Sequence, residues 1–192
     1  MFINPKIFKK LIKEAWELRV LILSQKEGVL MIQGGYWIVD AQMDVIPYKV
    51  RATLVELCGT LPEEGMTFRA GKGEAPQYEF EQTVHWDWLK QARSEELPEA
   101  YITRALFKAK RGEMYRVARQ GQEMVFIDNM LIDAIAPDEV MEGWEDRVTG
   151  PTVLYQGLVW KNSAGTAIFL PTELEDDMAE SYLRCLEKME VE

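Results

Sequence analysis

Histidine occurs once and cysteine twice in these 192 residues, and that scarcity removes more chemistry than any motif in the chain supplies. His85 alone cannot build a histidine-rich metal site, and a nucleophile-histidine-acid set would need a Ser or Cys brought beside it by the fold. Cys58 and Cys185 lie in apolar helical patterns with no CxxC or Cys/His spacing, which argues against a disulfide framework or a zinc site. Both read as buried small hydrophobes. Long apolar runs are missing too: none approaches the ~20 residues of a membrane span, and the N-terminal MFINPKIFKK offers no apolar stretch of signal length. A cytoplasmic, non-enzymatic protein without cofactor or metal is therefore expected. Positive charge is in short supply as well. A net charge of −10 and a pI near 4.8 argue against coating nucleic acid with the whole surface, although a local basic face escapes that average.

What the chain does contain is amphipathic pattern. In NPKIFKKLIKEAWELR, Asn4 suits the cap and Pro5 the first helical position. Phe8, Leu11, Ile12, Ala15 and Trp16 recur at helical spacing, and Lys6, Lys9, Lys10 and Lys13 fall on the opposite face. RVLILSQ, VLMIQ and YWIVDAQ follow as three short strands. The Gly34-Gly35 pair between the last two reads as a hairpin turn and not as a phosphate loop, because a strand rather than a helix comes after it. Tyr36 and Trp37 are candidates for partner binding, since adjacent strand residues face opposite sides and one of them must face solvent or a partner.

Further on, residues 48–58 carry a short helix closed by Gly59 and Pro62, and the Gly/Pro/Glu-rich stretch of residues 61–77 is the expected internal boundary. QYEFEQ reads as a strand and TVHWDWLKQARSEEL as a helix capped by Thr83. AYITRALFKAK, EMYRVARQ and EMVFIDN read as strands, with a further short helix after Pro137. QGGYWIVD at 33–40 and QGQEMVFID at 120–128 suggest one unit used twice, though any two hairpins share turn glycines and alternating apolar residues. The last third reads as strands TVLYQGLVW and TAIFLP, then a helix with a capping box from Thr172 to Glu175. Its expected buried stripe is Leu174, Met178, Tyr182, Cys185, Leu186 and Met189.

The expected fold is α+β and mostly antiparallel. It has two similar strand-helix-three-strand halves, residues 1–75 and 76–148, with helices on one side. A strand-strand-helix segment, 149–192, packs on the same core and ends in a C-terminal helix.

A strand-helix-three-strand unit used twice, with lysines along the exposed face of its first helix, resembles DNA sliding clamps, the processivity factors of replication. The resemblance covers about residues 1–140. It implies domains closing into a ring lined by basic helices, with peptide partners received in a hydrophobic pocket on the outer side. Lys6, Lys9, Lys10 and Lys13, and Lys90 and Arg93 on the second helix, would take the inner-face role. The chain is shorter than a usual clamp subunit, and its final segment has no counterpart in half a repeat.

A second basic feature comes from TRALFKAKRGEMYRVAR, where Arg104, Lys108 and Lys110 share one strand face and Ala105, Phe107 and Ala109 the other, with Arg111, Arg116 and Arg119 nearby. Such a face suits phosphate backbone, and an ordinary solvated sheet face is the alternative. The acids Asp176, Asp177 and Glu180 of the last helix read as a solvated face or a docking surface for a basic partner, since adjacent acids diverge and i, i+4 acids repel. The expected function is non-catalytic: an accessory protein that contacts DNA or a DNA-bound assembly through a local basic face. The alternative is a protein-interaction module docking a basic partner through its acidic C-terminal helix. Expected partners are DNA or a DNA-associated protein and a second copy of the chain, with no membrane.

Overall fold

The computed structural model describes residues 1–78, 85–135, 147–175 and 177–188. In chain order its elements are α1 (Pro5–Glu17), β1 (Leu21–Lys26), β2 (Val29–Gln33), β3 (Trp37–Gln42), α2 (Tyr48–Cys58), β4 (Thr67–Ala70) and β5 (Gln77–Tyr78). Then come α3 (Trp86–Ser94), β6 (Ala100–Lys108), β7 (Met114–Gln120), β8 (Glu123–Asp128) and α4 (Asn129–Ala134). The chain continues as β9 (Thr149–Leu154), β10 (Gly157–Asn162), β11 (Gly165–Phe169) and α5 (Asp177–Glu187). The fold is α+β, with every strand pairing antiparallel, and a C-terminal helix is present.

Eight strands form one sheet in the order β5-β4-β1-β2-β3-β11-β10-β9, and β6-β7-β8 form a second. The pairing of β3 with β11 joins the first third of the chain to the last, setting Asp40 opposite Thr166 and Trp37 opposite Phe169. Residues 61–77 do not interrupt this sheet, because β4 within them pairs with β1 from Leu21↔Ala70 to Ser24↔Thr67.

Alternate residues of the large sheet serve two cores. Leu21, Leu23, Leu30, Ile32, Trp37 and Val39 meet Phe8, Leu11, Ile12 and Ala15 of α1 and Val50 and Leu54 of α2. Ile22, Met31, Ile38, Val159 and Ile168 point the other way, onto Leu89 and Ala92 of α3. Helices thus cover both faces, where one side was expected: α1, α2 and α4 pack into one core and α3 into the other. That double cover explains why β3 is buried at every position except Gln42. The large side chains fully buried in this way each stabilise the fold by about 1.5–3 kcal/mol relative to exposure. The small sheet adds Ala118 and Ile127 to the first core and turns Val117, Met124 and Phe126 to α5.

Local signals account for most boundaries. Asn4 Oδ1 accepts the amides of Lys6 and Ile7 at 3.0 and 3.4 Å, and Pro5 opens α1. Gly59, at φ +81°, ends α2. Gly34 and Gly35 do form the β2–β3 turn, but neither has positive φ. A Cβ at Gly34 would collide with the Trp37 indole, so the first glycine is required by close approach and not by backbone handedness.

Several expectations are corrected. TVLYQGLVW is two strands, because Tyr155 takes φ 54° and turns the chain between β9 and β10. The helix expected from Thr83 begins at Trp86 with His85 in the cap position, and Thr83 itself lies outside the described residues. The helix expected after Pro137 also falls outside them, while α4 precedes that point, its Met130 amide bonded to Asp128 Oδ1 at 2.8 Å. No capping box forms at Thr172, whose amide donates to the Phe126 carbonyl at 2.8 Å, in a stretch that is not helical. The last helix starts at Asp177, and its buried stripe is Ala179 and Leu186 with Tyr182 and Leu183 beside them. Met178 and Cys185 are exposed, and Met189 is outside the described residues.

Candidate functional site

The α1 lysines stand where the helical spacing puts them. Lys6, Lys10 and Lys13 are exposed and Lys9 half-buried, and none pairs with a carboxylate among the described residues. The neighbouring α2 adds Lys49 and Arg51 to the same helical layer. In the hairpin of the small sheet, Arg104 and Lys108 are exposed on β6, while Ala105 and Phe107 turn under α5. Lys110 and Arg111 are also exposed, but they occupy the turn after β6 and not the strand face expected for Lys110. Arg116 donates to Asn129 Oδ1 at 3.2 Å and Arg119 to the Gly121 carbonyl at 3.0 Å, so both are engaged locally. On α5, Glu180 pairs with Arg184 and Asp177 is exposed, while Asp176 is outside the described residues. Tyr36 is 56% exposed and Trp37 only 5%, so Tyr36 is the one of the pair that faces solvent.

Cavities form elsewhere, and two adjoin at Arg93. The first, of about 610 Å³, lies between α3 and the strands beneath it, with Lys26, Glu27, Asp40, Trp86, Asp87 and Lys90 in its wall. Trp86 Nε1 donates to Ser24 Oγ at 3.1 Å, and the Ser24 hydroxyl meets that of Thr67 at 2.6 Å, so the start of α3 is anchored to the sheet. At the other end Lys161 Nζ donates to the Ala92 carbonyl at 2.6 Å and the Glu95 carbonyl at 3.3 Å, a cation on the open carbonyls of a helix terminus.

Arg93 Nη2 donates to Asp40 Oδ2 at 2.6 Å and its Nε to Thr166 Oγ1 at 3.1 Å, while the Thr166 amide donates to Asp40 Oδ1 at 2.7 Å. Burial pushes the Asp40 carboxyl up, against the pull of Arg93 and Thr166. The second cavity, of about 380 Å³, is walled by Arg93, Arg147, Thr149, Lys161, Asn162 and Ser163. Among the described residues its wall has three cations, three neutral hydrogen-bonding side chains and no carboxylate, the chemistry that receives an oxyanion. Beside α3, the His85 ring stacks on Trp88 at 4.3 Å, and burial lowers the pKa of this histidine.

A third cavity, of about 230 Å³, opens on the α1 side of the sheet. Its floor is Leu11, Ala15, Trp37 and Leu131; Leu18, Val20 and Tyr36 stand at its mouth, with Glu14, Glu113, Tyr115 and Asp128 around it. Burial raises the Asp128 carboxyl, and Asp133 and Glu113 raise it further against the Met130 amide bond. Glu14 is raised by burial, then by Asp128 and Glu17, and Tyr115 by burial, then by Asp128, Glu113 and Tyr36. Among the described residues, no group of three or more His, Cys, Asp or Glu side chains could hold a metal ion.

None of these cavities is walled by the α1 lysines or the hairpin cations, whereas Lys90, Arg93, Tyr36 and Trp37 are in them. Sequence reasoning missed Lys26, Arg147 and Lys161, which come from three separated segments and carry no shared pattern. Asp40 did leave a trace: it is a lone acid in the apolar run WIVDA, which marks a buried charge in need of a partner. Glu14, Glu113 and Asp128 left none, because each looks like an ordinary surface acid in its own segment. No known family matches the chain, and no curated protein or solved structure is significantly similar to it.

Proposed function

We propose that this protein binds without catalysis, holding the phosphate backbone of DNA, alone or within a DNA-bound assembly, through the basic cavity at Arg93. The observation that carries this reading is the second cavity: Arg93, already bonded to Asp40, and Lys161, already bonded to two carbonyls, converge there with Arg147, Thr149, Asn162 and Ser163, with no carboxylate among the described residues of its wall, in a chain whose net charge is −10. Such a concentration of donors serves a phosphate through charge and hydrogen bonds together, and needs no particular base. Lys90 and Lys26 stand in the adjoining cavity with Glu27, Asp40 and Asp87, which offset their charge. The clamp-like reading belongs to the same proposal. It draws on the order of helix and three strands in α1–β3 and in α3–β8, and on the outward lysines of α1 beside α2.

The test is binding of fluorescent single- and double-stranded DNA across a salt series. On duplex, log affinity should fall with log salt at a slope near −0.9 per phosphate contacted. Arg147→Ala should flatten that slope by about one contact, and a variant with Lys6, Lys9, Lys10 and Lys13 all replaced by Ala shows whether α1 shares the load. No binding at low salt, or a slope indifferent to Arg147→Ala, overturns the assignment to this cavity.

A further inference from the structure

We propose that the cleft on the α1 side docks a basic, apolar-flanked segment of a partner protein: a lysine or arginine side chain enters between Glu14, Glu113 and Asp128, and a neighbouring apolar residue covers Leu18 and Val20. This site lies across the large sheet from the Arg93 cavity and stands independently of the function proposed above.

The cleft combines two features that solvent alone does not satisfy. Leu18, Val20 and Tyr36 are 66%, 38% and 56% exposed side by side at its mouth, over a floor buried to within a few per cent. Scattered exposed apolar residues mean little, but a contiguous group around a concavity marks a contact surface. The carboxylates press on one another as well. Burial is the chief cause that raises Asp128 and Glu14, charge adds to it, with Glu113 acting on Asp128 and Asp128 on Glu14 within the cleft, and no lysine or arginine is among the described residues that line it. A cation placed among them relieves that repulsion, and the Tyr36 and Tyr115 rings offer it π-faces.

The occupant follows from these features. Among the described residues a hydrated metal ion finds no ligand set here. A small polyamine would use the acids and leave Leu18 and Val20 uncovered. A peptide segment with a long-stemmed cation beside an apolar side chain uses both, its stem lying on Leu11 and Ala15. The candidate partner surface thus moves from the acidic face of α5, where Glu180 already has Arg184, to this cleft.

The experiment is a fluorescence anisotropy titration of the full chain with a short labelled peptide alternating lysine and leucine. Glu14→Gln with Glu113→Gln, both at exposed positions, should weaken binding at least about fivefold. The equal charge change Glu173→Gln with Glu187→Gln should leave it within about twofold if the cleft, and not the overall acidity, is responsible. Asp128→Asn, which keeps an oxygen to cap α4, and Leu18→Ser should each weaken it too. Equal loss from both pairs of variants overturns the proposal. So does competition by spermidine at the same concentration as by unlabelled peptide, which would make this a small-cation site. Self-association of the chain that the cleft variants abolish would overturn it in favour of a second copy as the occupant.

Discussion

Arg93 Nη2 in α3 and Asp40 Oδ2 in β3 are 2.6 Å apart, and this bond fastens the helix to the middle of the eight-stranded sheet. Asp40 is 1% exposed and the Arg93 side chain 39%, so the pair runs from the sheet interior to the wall shared by the two cavities beside α3. Asp40→Ala strands the buried Thr166 amide and releases Arg93. Unfolding by urea should show a loss of about 1–3 kcal/mol, the cost of a buried donor left unmade. Asp40→Asn, which keeps an acceptor for Thr166, should cost less.

Gly34 and Gly35 separate by substitution. A Cβ on Gly34 meets the Trp37 indole, itself packed edge-on against Phe8 at 5.4 Å, so Gly34→Ala should destabilise by about 1–3 kcal/mol, as overpacked cores do. At Gly35 the nearest atom to an added Cβ is Val20 Cγ2 at 3.9 Å, and Gly35→Ala should be nearly neutral in thermal melts.

The two thiols should react at different rates. Cys58 is buried and its pKa is pushed up to about 11 by burial, whereas Cys185 is exposed. A thiol reagent at mildly alkaline pH should label one cysteine at once and the second only on unfolding. Cys185→Ala should abolish the fast phase; if the fast phase survives, the placement of Cys58 in the core is wrong.

Acid pH should narrow a stability gap. The Asp128 carboxyl is raised in the folded protein, so its contribution is fully present below the ordinary value of 3.8 and is lost as pH rises through the higher folded value. Asp128→Asn carries no charge at any pH and keeps the α4 cap. At neutral pH the variant should be the more stable of the two. As pH falls into the ordinary carboxylate range the wild type should catch up. Comparing the two at each pH cancels the opposing effect of His85, whose lowered pKa costs stability as pH falls below 6.5.

How much of this was legible in the sequence depends on how far apart the cooperating residues are. The start of α1, the bounds of α2, the hairpin at Gly34 and the outward lysines were all readable, since caps, turn glycines and apolar periodicity act within a few residues. The two strands within TVLYQGLVW were not, because the turn rests on Tyr155 in a left-handed conformation rather than on a residue that favours one. Nor was the rotation of the α5 stripe, since its core-facing side is chosen by Val117, Met124 and Phe126 of another sheet.

The sequence by itself determined the α+β class, most helices and strands, and the local placement of Lys6, Lys10 and Lys13 on a wet face, because these follow from backbone propensity and short-range burial. Only the tertiary structure decided that β3 pairs with β11, that α3 covers the face opposite α1, and that Arg93, Arg147 and Lys161 meet in one cavity while Glu14, Glu113 and Asp128 meet in another. Those encounters join segments far apart in the chain, the bond from Thr166 to Asp40 spanning 126 residues, and no local pattern encodes a contact whose partner lies across the sheet.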